Sequence, residues 1–193
     1  MLFETEAYND NYCLYQRSGT MIEISNEELD DLTRSCHELM ASQQTLLMAT
    51  ASANGMPDIS YAPFVRDRAG VFYIYVSELA IHTANLLNNP QASILFIRRE
   101  AESPNLFVRE RAVFSCRVEE ITQDDDMYAI RLDALQEKFG EVVGILRLLT
   151  DFHLFALGPE SGRYVAGFGR AFTINLNDDS LSLVRSAKGN QTK

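Results

Sequence analysis

Long hydrophobic runs and export signals are missing from the sequence. No apolar stretch approaches the roughly 20 residues that a membrane-spanning helix needs. Residues 1–24 carry acidic side chains early and lack the basic start and continuous apolar segment of a secretory signal. Apolar residues make up 46% of the 193 residues and charged residues 23%, which is ordinary for a globular protein. We therefore expect one soluble, cytoplasmic domain.

Cysteine and positive charge are also scarce. Cys13, Cys36 and Cys116 are odd in number, widely spaced and without a C-x-x-C pair, so they suggest neither a disulfide framework nor a zinc site. We expect buried or unreactive thiols and no bound metal. The net charge of −10 argues against nucleic acid or an anionic membrane as a partner, because both require a basic surface.

The clearest local patterns are one helix and the hairpins after it. Ser25 and Glu28 fit a capping box, and apolar residues then recur at helical spacing, which predicts a helix over 26–43. The period then changes to two, and Asn54-Gly55 is a strong hairpin signal. An antiparallel meander is therefore predicted, with strands at 45–51, 57–67 and 71–77.

Two prolines, Pro57 and Pro63, interrupt the middle strand of this meander. Because proline cannot donate to a ladder, we expect that strand to lie at an edge, to bulge or to bend around a corner. The same criteria predict a short helix within 77–90, strands at 91–99, 106–121, 151–157 and 163–174, and helices at 123–139 and 141–149. Gly167-Phe168-Gly169 is most simply a bend between strands.

These elements define the fold class that we expect. About six mainly antiparallel strands with flanking helices predict an α+β protein built on a closed or nearly closed barrel. We expect the barrel domain over 25–176, an N-terminal arm over 1–24 and a polar C-terminal tail over 177–193.

Six sequence blocks carry a resemblance to known proteins. They are GMPDISYAPF (55–64), SELAIHTANLLNNPQASILF (77–96), LFVRERAVF (106–114), KFGE (138–141), LTDFHLFAL (149–157) and GRYVAGFGRAF (162–172). In this order and spacing they resemble the haem-utilisation (HugZ/HutZ-type) family of the FMN-binding split-barrel superfamily, which includes pyridoxamine 5'-phosphate oxidase. The resemblance covers about residues 44–175 and implies a split-barrel homodimer with a ligand cleft at the subunit interface.

His82 lies within the second of these blocks. Ser77 can cap the helix that contains it, and a helix start favours a phosphate or carboxylate. By resemblance His82 occupies a cleft position where flavin-binding relatives often carry a lysine that meets the FMN phosphate. A histidine is only a conditional cation, and the alternative role is a structural hydrogen bond.

Arginine side chains provide the second candidate site. Arg109 and Arg111 alternate along a predicted strand, so both guanidinium groups are expected on one face, with Arg117 further along. Such a pair suits haem propionates or an FMN phosphate, and the alternative is a solvated face with weak ion pairs. By resemblance Arg111 lies near the cleft. For FMN the sequence also offers Ser60, Ser77 and Thr83, but no lysine before Lys138.

The resemblance is incomplete at the iron ligand. Asp151 matches an acidic residue that orients the axial histidine in haem-degrading relatives, although an acid at a helix-to-strand junction is common. The axial histidine itself aligns with Asn190, which is not a usual haem ligand. His153 shares a predicted face with Asp151 and is a conceivable substitute, although a polar strand position explains it more simply.

Three functions follow from these observations. The resemblance implies a protein that binds or oxidatively degrades haem at a dimer-interface cleft, with the usual axial histidine missing. The alternatives are an FMN-binding oxidoreductase and a non-catalytic binding protein on the same fold. The sequence does not identify which residues would be catalytic.

Overall fold

A computed structural model describes residues 12–15 and 21–184 of the chain. Its strands are β1 (Tyr12–Tyr15), β2 (Met21–Ile24), β3 (Thr45–Ala51), β4 (Pro57–Arg66), β5 (Phe72–Ser77), β6 (Gln91–Ile97), β7 (Arg111–Ile121), β8 (Phe152–Gly167), β9 (Arg170–Ile174) and β10 (Leu181–Leu183). Its helices are α1 (Asn26–Ala41), α2 (Ile81–Asn88), α3 (Asp126–Phe139) and α4 (Glu141–Leu146), and two 3-10 turns lie between β6 and β7. Within the described residues no helix is long and apolar enough to cross a membrane.

The first helix forms as its capping signal predicts. The Ser25 hydroxyl accepts a hydrogen bond from the Glu28 amide at 3.2 Å, which satisfies one of the free amides of the first turn. Residues at helical spacing on α1 are buried against the barrel, and they include Leu32, Cys36 and Leu39. Cys36 and Cys116 are buried free thiols, and burial raises the pKa of each to about 12. Both thiols therefore stay protonated at neutral pH.

Strand β4 bends where its partner changes. From Pro57 to Pro63 it pairs with β3, and from Phe64 to Arg66 it pairs with β5. Pro63 lies at this change of partner. Pairing with β5 begins only at Phe64, so the N–H that proline lacks is not needed for a hydrogen bond to β5. The predicted meander is thus confirmed, and of the three alternatives for its middle strand the change of partner at Pro63 favours a bend. The bend also leaves the edge of residues 57–63 that faces away from β3 without a strand partner among the described residues.

Six strands close a barrel. They follow the order β8-β5-β4-β3-β6-β7, and β7 pairs with β8 to complete the ring. All of these pairs are antiparallel, so the predicted α+β barrel with flanking helices is confirmed. The interior contains four tilted aromatic rings with centroids 5.3 to 6.4 Å apart, namely Phe64, Phe72, Phe96 and Phe114. Close packing of this kind makes the barrel interior a core and not a channel.

The second half of the chain differs from the prediction at several boundaries. Residues 106–108 form a 3-10 turn, so β7 starts five residues later than expected. The predicted strands at 151–157 and 163–174 are one long strand, β8, followed by a turn at residues 168–169 and β9. Gly169 has a φ of 67° in that turn, so the predicted bend is confirmed. The sheet also continues through β10, beyond the predicted boundary at 176, and Leu181 and Leu183 are buried.

Helices cover only part of the outside of the barrel. A second apolar cluster forms where α3 and α4 pack on the outer side chains of β5 and β8, among them Tyr73, Tyr75 and Leu154. The outer side chains of β3, β6, the first half of β4, β7 from Arg111 to Arg117 and the second half of β8 carry no such cover within the described residues. We call this uncovered surface the outer face.

Candidate functional site

His82 lies in the first turn of α2 with its side chain turned toward the barrel. The side chain is only 9% exposed, and its Nε2 atom has no hydrogen-bond partner among the described residues. Burial lowers the pKa of His82, against an opposing effect of the Asp58 carboxylate. The imidazole is therefore neutral at pH 7 and is not a cationic clamp for phosphate. The predicted alternative, a structural hydrogen bond, is not made by Nε2 within the described residues.

The residues before α2 are arranged differently from the prediction. Ser77 does not cap the helix, because α2 begins four residues later, after Ala80, and has no side-chain cap. The Ser77 hydroxyl instead donates to Asp151 at 2.7 Å and accepts from the Leu79 amide at 3.1 Å. Thr83 donates to the Ser77 carbonyl at 2.6 Å. Ser77, Thr83 and Asp151 are therefore brought together, as a junction that ties the end of β5 to α2 and β8.

Ser60 occupies the inner side of β4. Its Oγ atom is buried and, like Nε2 of His82, has no hydrogen-bond partner among the described residues. Helix α2 packs on β3 and β4 and is anchored there by Asn85, whose amide donates to Thr50 at 2.9 Å. An orphaned polar atom in such a place costs about 1–3 kcal/mol, so these two atoms are sites where an added partner would stabilise the fold.

Arg109 and Arg111 do not project side by side, contrary to the prediction. Arg109 precedes β7, and its guanidinium folds back to donate to the Arg98 carbonyl at 2.6 and 3.1 Å and to Glu100 at 3.2 Å. Arg109 lies in the loop before β7 and not in the predicted strand, so the alternation of side chains expected for a strand does not place it beside Arg111. Arg111 begins β7 on the outer face and uses one N–H for the Arg109 carbonyl at 3.1 Å.

The predicted site residues form two groups at opposite ends of the barrel. Helix α2 leads into Gln91 at the start of β6, which pairs with Arg117, whereas Arg111 pairs with Ile97 at the other end of β6. Six residues of strand separate these ends, which is about 20 Å at roughly 3.3 Å per residue. Within one subunit, His82 and Arg111 are therefore too far apart to bind the same small anion.

The outer face has an apolar half and a basic half. Its apolar half lies on β3 and β4 and includes Ile59 and Tyr61, whose exposed fractions are 75% and 66%. Its basic half lies on β7 and β8, where register places Arg111, Arg117 and Arg163 on the outer side. In a chain of net charge −10 such a basic surface is unusual.

A shallow hollow of about 350 Å³ joins the two halves of the outer face. Its lining includes the small side chains of Ala49, Ser93 and Ser115, together with Glu160 of β8 and the amides of Asn89 and Gln91. Small residues at this position leave room for a flat group to approach the sheet. The hollow, Ile59, Tyr61 and Arg163 were missed by sequence reasoning. The alternation of exposed residues along 57–63 was the available signal, but alternation alone does not say which face is covered.

His153 is not free to replace an axial ligand. Its Nδ1 lies 2.6 Å from Glu120 and its Nε2 lies 2.8 Å from Glu78, so both ring nitrogens are engaged. Its ring also stacks on Phe155, with centroids 6.0 Å apart. Burial alone would lower the pKa of His153, but the hydrogen bonds from both carboxylates outweigh it and raise the pKa. The histidine links β8, β7 and the turn before α2 through these two contacts.

Loss of this link with rising pH is a testable consequence. Because the folded pKa lies above the ordinary value of 6.5, the stabilisation is fully present below about pH 6.5 and is lost as pH rises through the folded pKa. We expect His153→Gln to lower the free energy of unfolding by about 1 kcal/mol near pH 6, since partial exposure of both glutamates screens the pair. Near pH 9 the loss should shrink toward zero. Urea unfolding at both pH values measures this, and a loss that does not change with pH would contradict it.

Two further predicted roles are constrained by position. Asp151 bonds Ser77 and not a histidine, so the orienting role suggested for it has no histidine partner within the described residues. Asn190, the residue that aligns with the axial histidine, lies outside the described residues.

Comparisons with known proteins agree with this geometry. The family model of pyridoxamine 5'-phosphate oxidase matches residues 32–166. The chain is 37% identical over 154 residues to the heme oxygenase HutZ of Vibrio cholerae serotype O1, covering 80% of this chain and 86% of HutZ. A crystal structure of Vibrio cholerae HutZ, described as a heme storage protein, superposes with a TM-score of 0.63 at 37% identity, over 67% of this chain and 90% of that one. The structure of ChuZ from Campylobacter jejuni gives 0.69 at 25% identity, over 100% of this chain and 86% of ChuZ.

Proposed function

The chain belongs to the pyridoxamine 5'-phosphate oxidase family, and from that premise we propose that it is a haem-utilisation protein that binds haem between two copies of itself. The observation that carries the proposal is the outer face, which combines an exposed apolar half with a row of arginines in an otherwise acidic chain. Similarity to HutZ, named both as a heme oxygenase and as a heme storage protein, supports haem as the ligand.

A second copy of the chain is needed to complete the site. His82 and Arg111 lie at opposite ends of one barrel, so a two-fold axis across the outer face would bring the α2 end of one subunit toward the Arg111 end of the other. Exposed Ile59 and Tyr61 supply the apolar contact that such an interface requires. We therefore propose a homodimer whose cleft uses residues of both subunits.

The described residues fit haem in their chemistry. Haem combines a flat apolar ring with two carboxylates, and the outer face combines a hollow of small side chains with Arg111, Arg117 and Arg163. We assign these arginines to the propionates. We place His82 beneath the cleft wall and assign it no direct contact with haem, because its Nε2 atom is buried and its side chain is turned toward the barrel. When bound, haem would supply an iron centre capable of oxygen chemistry.

The FMN alternative has less support from the same residues. A flavin phosphate needs several free donors, but Ser77 and Thr83 already bond within the β5–α2 junction and His82 is neutral. Arg109 is committed to the loop before β7. The Oγ atom of Ser60 is buried on the inner side of β4.

Absorption spectroscopy of the purified protein decides between these functions. On titration with haemin we expect a shifted Soret band that saturates at one haem per cleft, and no perturbation of the FMN spectrum. Co-purification of FMN at one per subunit would overturn the haem proposal, and no spectral change with either would support a protein without a cofactor. Decay of the haem band with ascorbate in air would add oxidative breakdown to binding, whereas a stable band would restrict the function to binding.

Arg111 is the arginine whose removal should weaken haem binding most clearly. We expect Arg111→Gln to weaken haemin binding at least about tenfold, because a charge-assisted hydrogen bond to a carboxylate contributes about 1.5–3 kcal/mol. Soret titration measures the dissociation constant. Arg34→Gln is a matched control, since Arg34 is exposed on α1 and pairs only with Asp31 among the described residues. Equal affinities for the two variants would remove Arg111 from the site.

A further inference from the structure

A separate cavity lies away from the outer face, between α1, the end of β4 and α3. Its volume is about 450 Å³, within the range of small-molecule sites. Apolar side chains form most of its wall, namely Met40, Ala41, Phe64 and Val65. Lys138 and His37 are the titratable groups that open onto it from α3 and α1, together with the paired Arg66 and Asp179.

Lys138 has no counter-charge in this cavity. Its ammonium donates to the Phe64 carbonyl at 2.8 Å and lies 4.3 Å from the centroid of the Phe64 ring. No carboxylate oxygen lies within 4.0 Å of it in the described part of the chain. An ammonium has three donors, so the amine keeps hydrogen-bonding capacity beyond the Phe64 carbonyl.

The one carboxylate in the cavity wall is already neutralised. Asp179 accepts two hydrogen bonds from Arg66, at 2.6 and 2.8 Å, in the bidentate arrangement. His37 Nε2 is 3.7 Å from the same carboxylate, which is too long for a strong hydrogen bond. Lys138 therefore gives the cavity a net positive charge. Partial burial also lowers the pKa of Lys138.

We propose that this cavity binds a small monoanion with an apolar body, such as a medium-chain carboxylate. The carboxylate would take the free donors of Lys138, and the apolar chain would lie against Met40, Ala41 and Phe64. A single ammonium beside apolar walls matches one negative charge better than the double charge of a phosphate, which requires more donors. The site is independent of the haem cleft and goes beyond the proposed function.

Methionine methyl groups provide a direct readout of occupancy. In protein labelled with ¹³C-methyl methionine, we expect sodium octanoate to shift the Met40 resonance in a saturable way. Met48, buried in the barrel core, and Met56, exposed in the β3–β4 turn, serve as internal references that should not move. The same titration of haemin-loaded protein should give the same Met40 shift, which separates this site from the cleft.

Three comparisons make the proposal falsifiable. Lys138→Met keeps the aliphatic stem and removes the charge, so octanoate should bind at least about tenfold more weakly while 1-octanol binds equally to both proteins. Ala41→Phe, which fills the cavity and keeps Lys138, should abolish the Met40 shift, and Arg34→Met should leave it unchanged. An unchanged octanoate affinity in Lys138→Met or Ala41→Phe would overturn the site, as would an unmoved Met40 resonance in the parent protein.

Discussion

Replacing Ile59 with arginine is expected to convert the proposed dimer into monomers and to weaken haemin binding by at least about a hundredfold. Ile59 is 75% exposed at the centre of the apolar half of the outer face. In a two-fold interface the substitution is present twice. Each arginine side chain would lose its hydration on association and would find no carboxylate to pair with. An unpaired buried charge costs about 3–5 kcal/mol, so two of them exceed what an interface of ordinary size can tolerate. Light scattering after size-exclusion chromatography gives the mass of the particle.

The same change at another exposed isoleucine provides the control. Ile130 on α3 is 54% exposed and lies outside the outer face, so Ile130→Arg should keep both the mass and the haemin affinity of the parent protein. Neither side chain belongs to the core, so both variants should fold, and Ile59→Arg should unfold at a lower temperature only by the amount that dimerisation stabilises the parent. If Ile59→Arg keeps the parent mass, the outer face is not the interface. If it forms monomers that still bind haemin fully, the cleft does not need two subunits.

The first half of the fold was predicted well because caps, turns and prolines within a few residues of each other determine its elements. Ser25 caps α1, Asn54-Gly55 turns between β3 and β4, and Pro63 marks the bend. The long strand β8 was predicted as two strands, because the sequence GPESG at residues 158–162 has the composition of a loop. Its pairing with β7 from Leu154 to Val165 overrides that local preference, and a bulge at Ser115/Cys116 absorbs the irregularity.

The sequence could identify individual residues of the candidate site, but it could not predict which of them lie close together. The junction of Ser77, Thr83 and Asp151 joins three segments that are far apart in the sequence. Which end of the barrel each residue occupies depends on strand register, and this is set by tertiary pairing and not by local composition. The two carboxylate partners of His153 likewise come from β7 and the turn before α2. Sequence reasoning could identify the histidine but not that both of its nitrogens are engaged.

Gly162 lies in the part of β8 that was not predicted as strand, and a substitution at this position should lower the stability of the fold more than one elsewhere in β8. It pairs with Phe114 of β7 on one side and with Ile174 of β9 on the other. A Cβ at this position would lie 2.9 Å from the Ile174 Cβ and 2.9 Å from a ring carbon of Phe114. Both neighbours are in the buried core, so neither can move aside without disturbing other contacts.

We therefore expect Gly162→Ala to lower the free energy of unfolding by about 2–3 kcal/mol, as overpacking of a core does. The corresponding drop in the unfolding temperature is roughly 4–12 °C for a chain of this size. Gly158→Ala is the matched control, because a Cβ there would lie 3.7 Å from the Arg117 carbonyl, an ordinary contact. Its stability should stay within about 1 kcal/mol of the parent. Urea unfolding of the three proteins measures the difference, and equal stability of the two variants would mean that β7, β8 and β9 are not in the register described here.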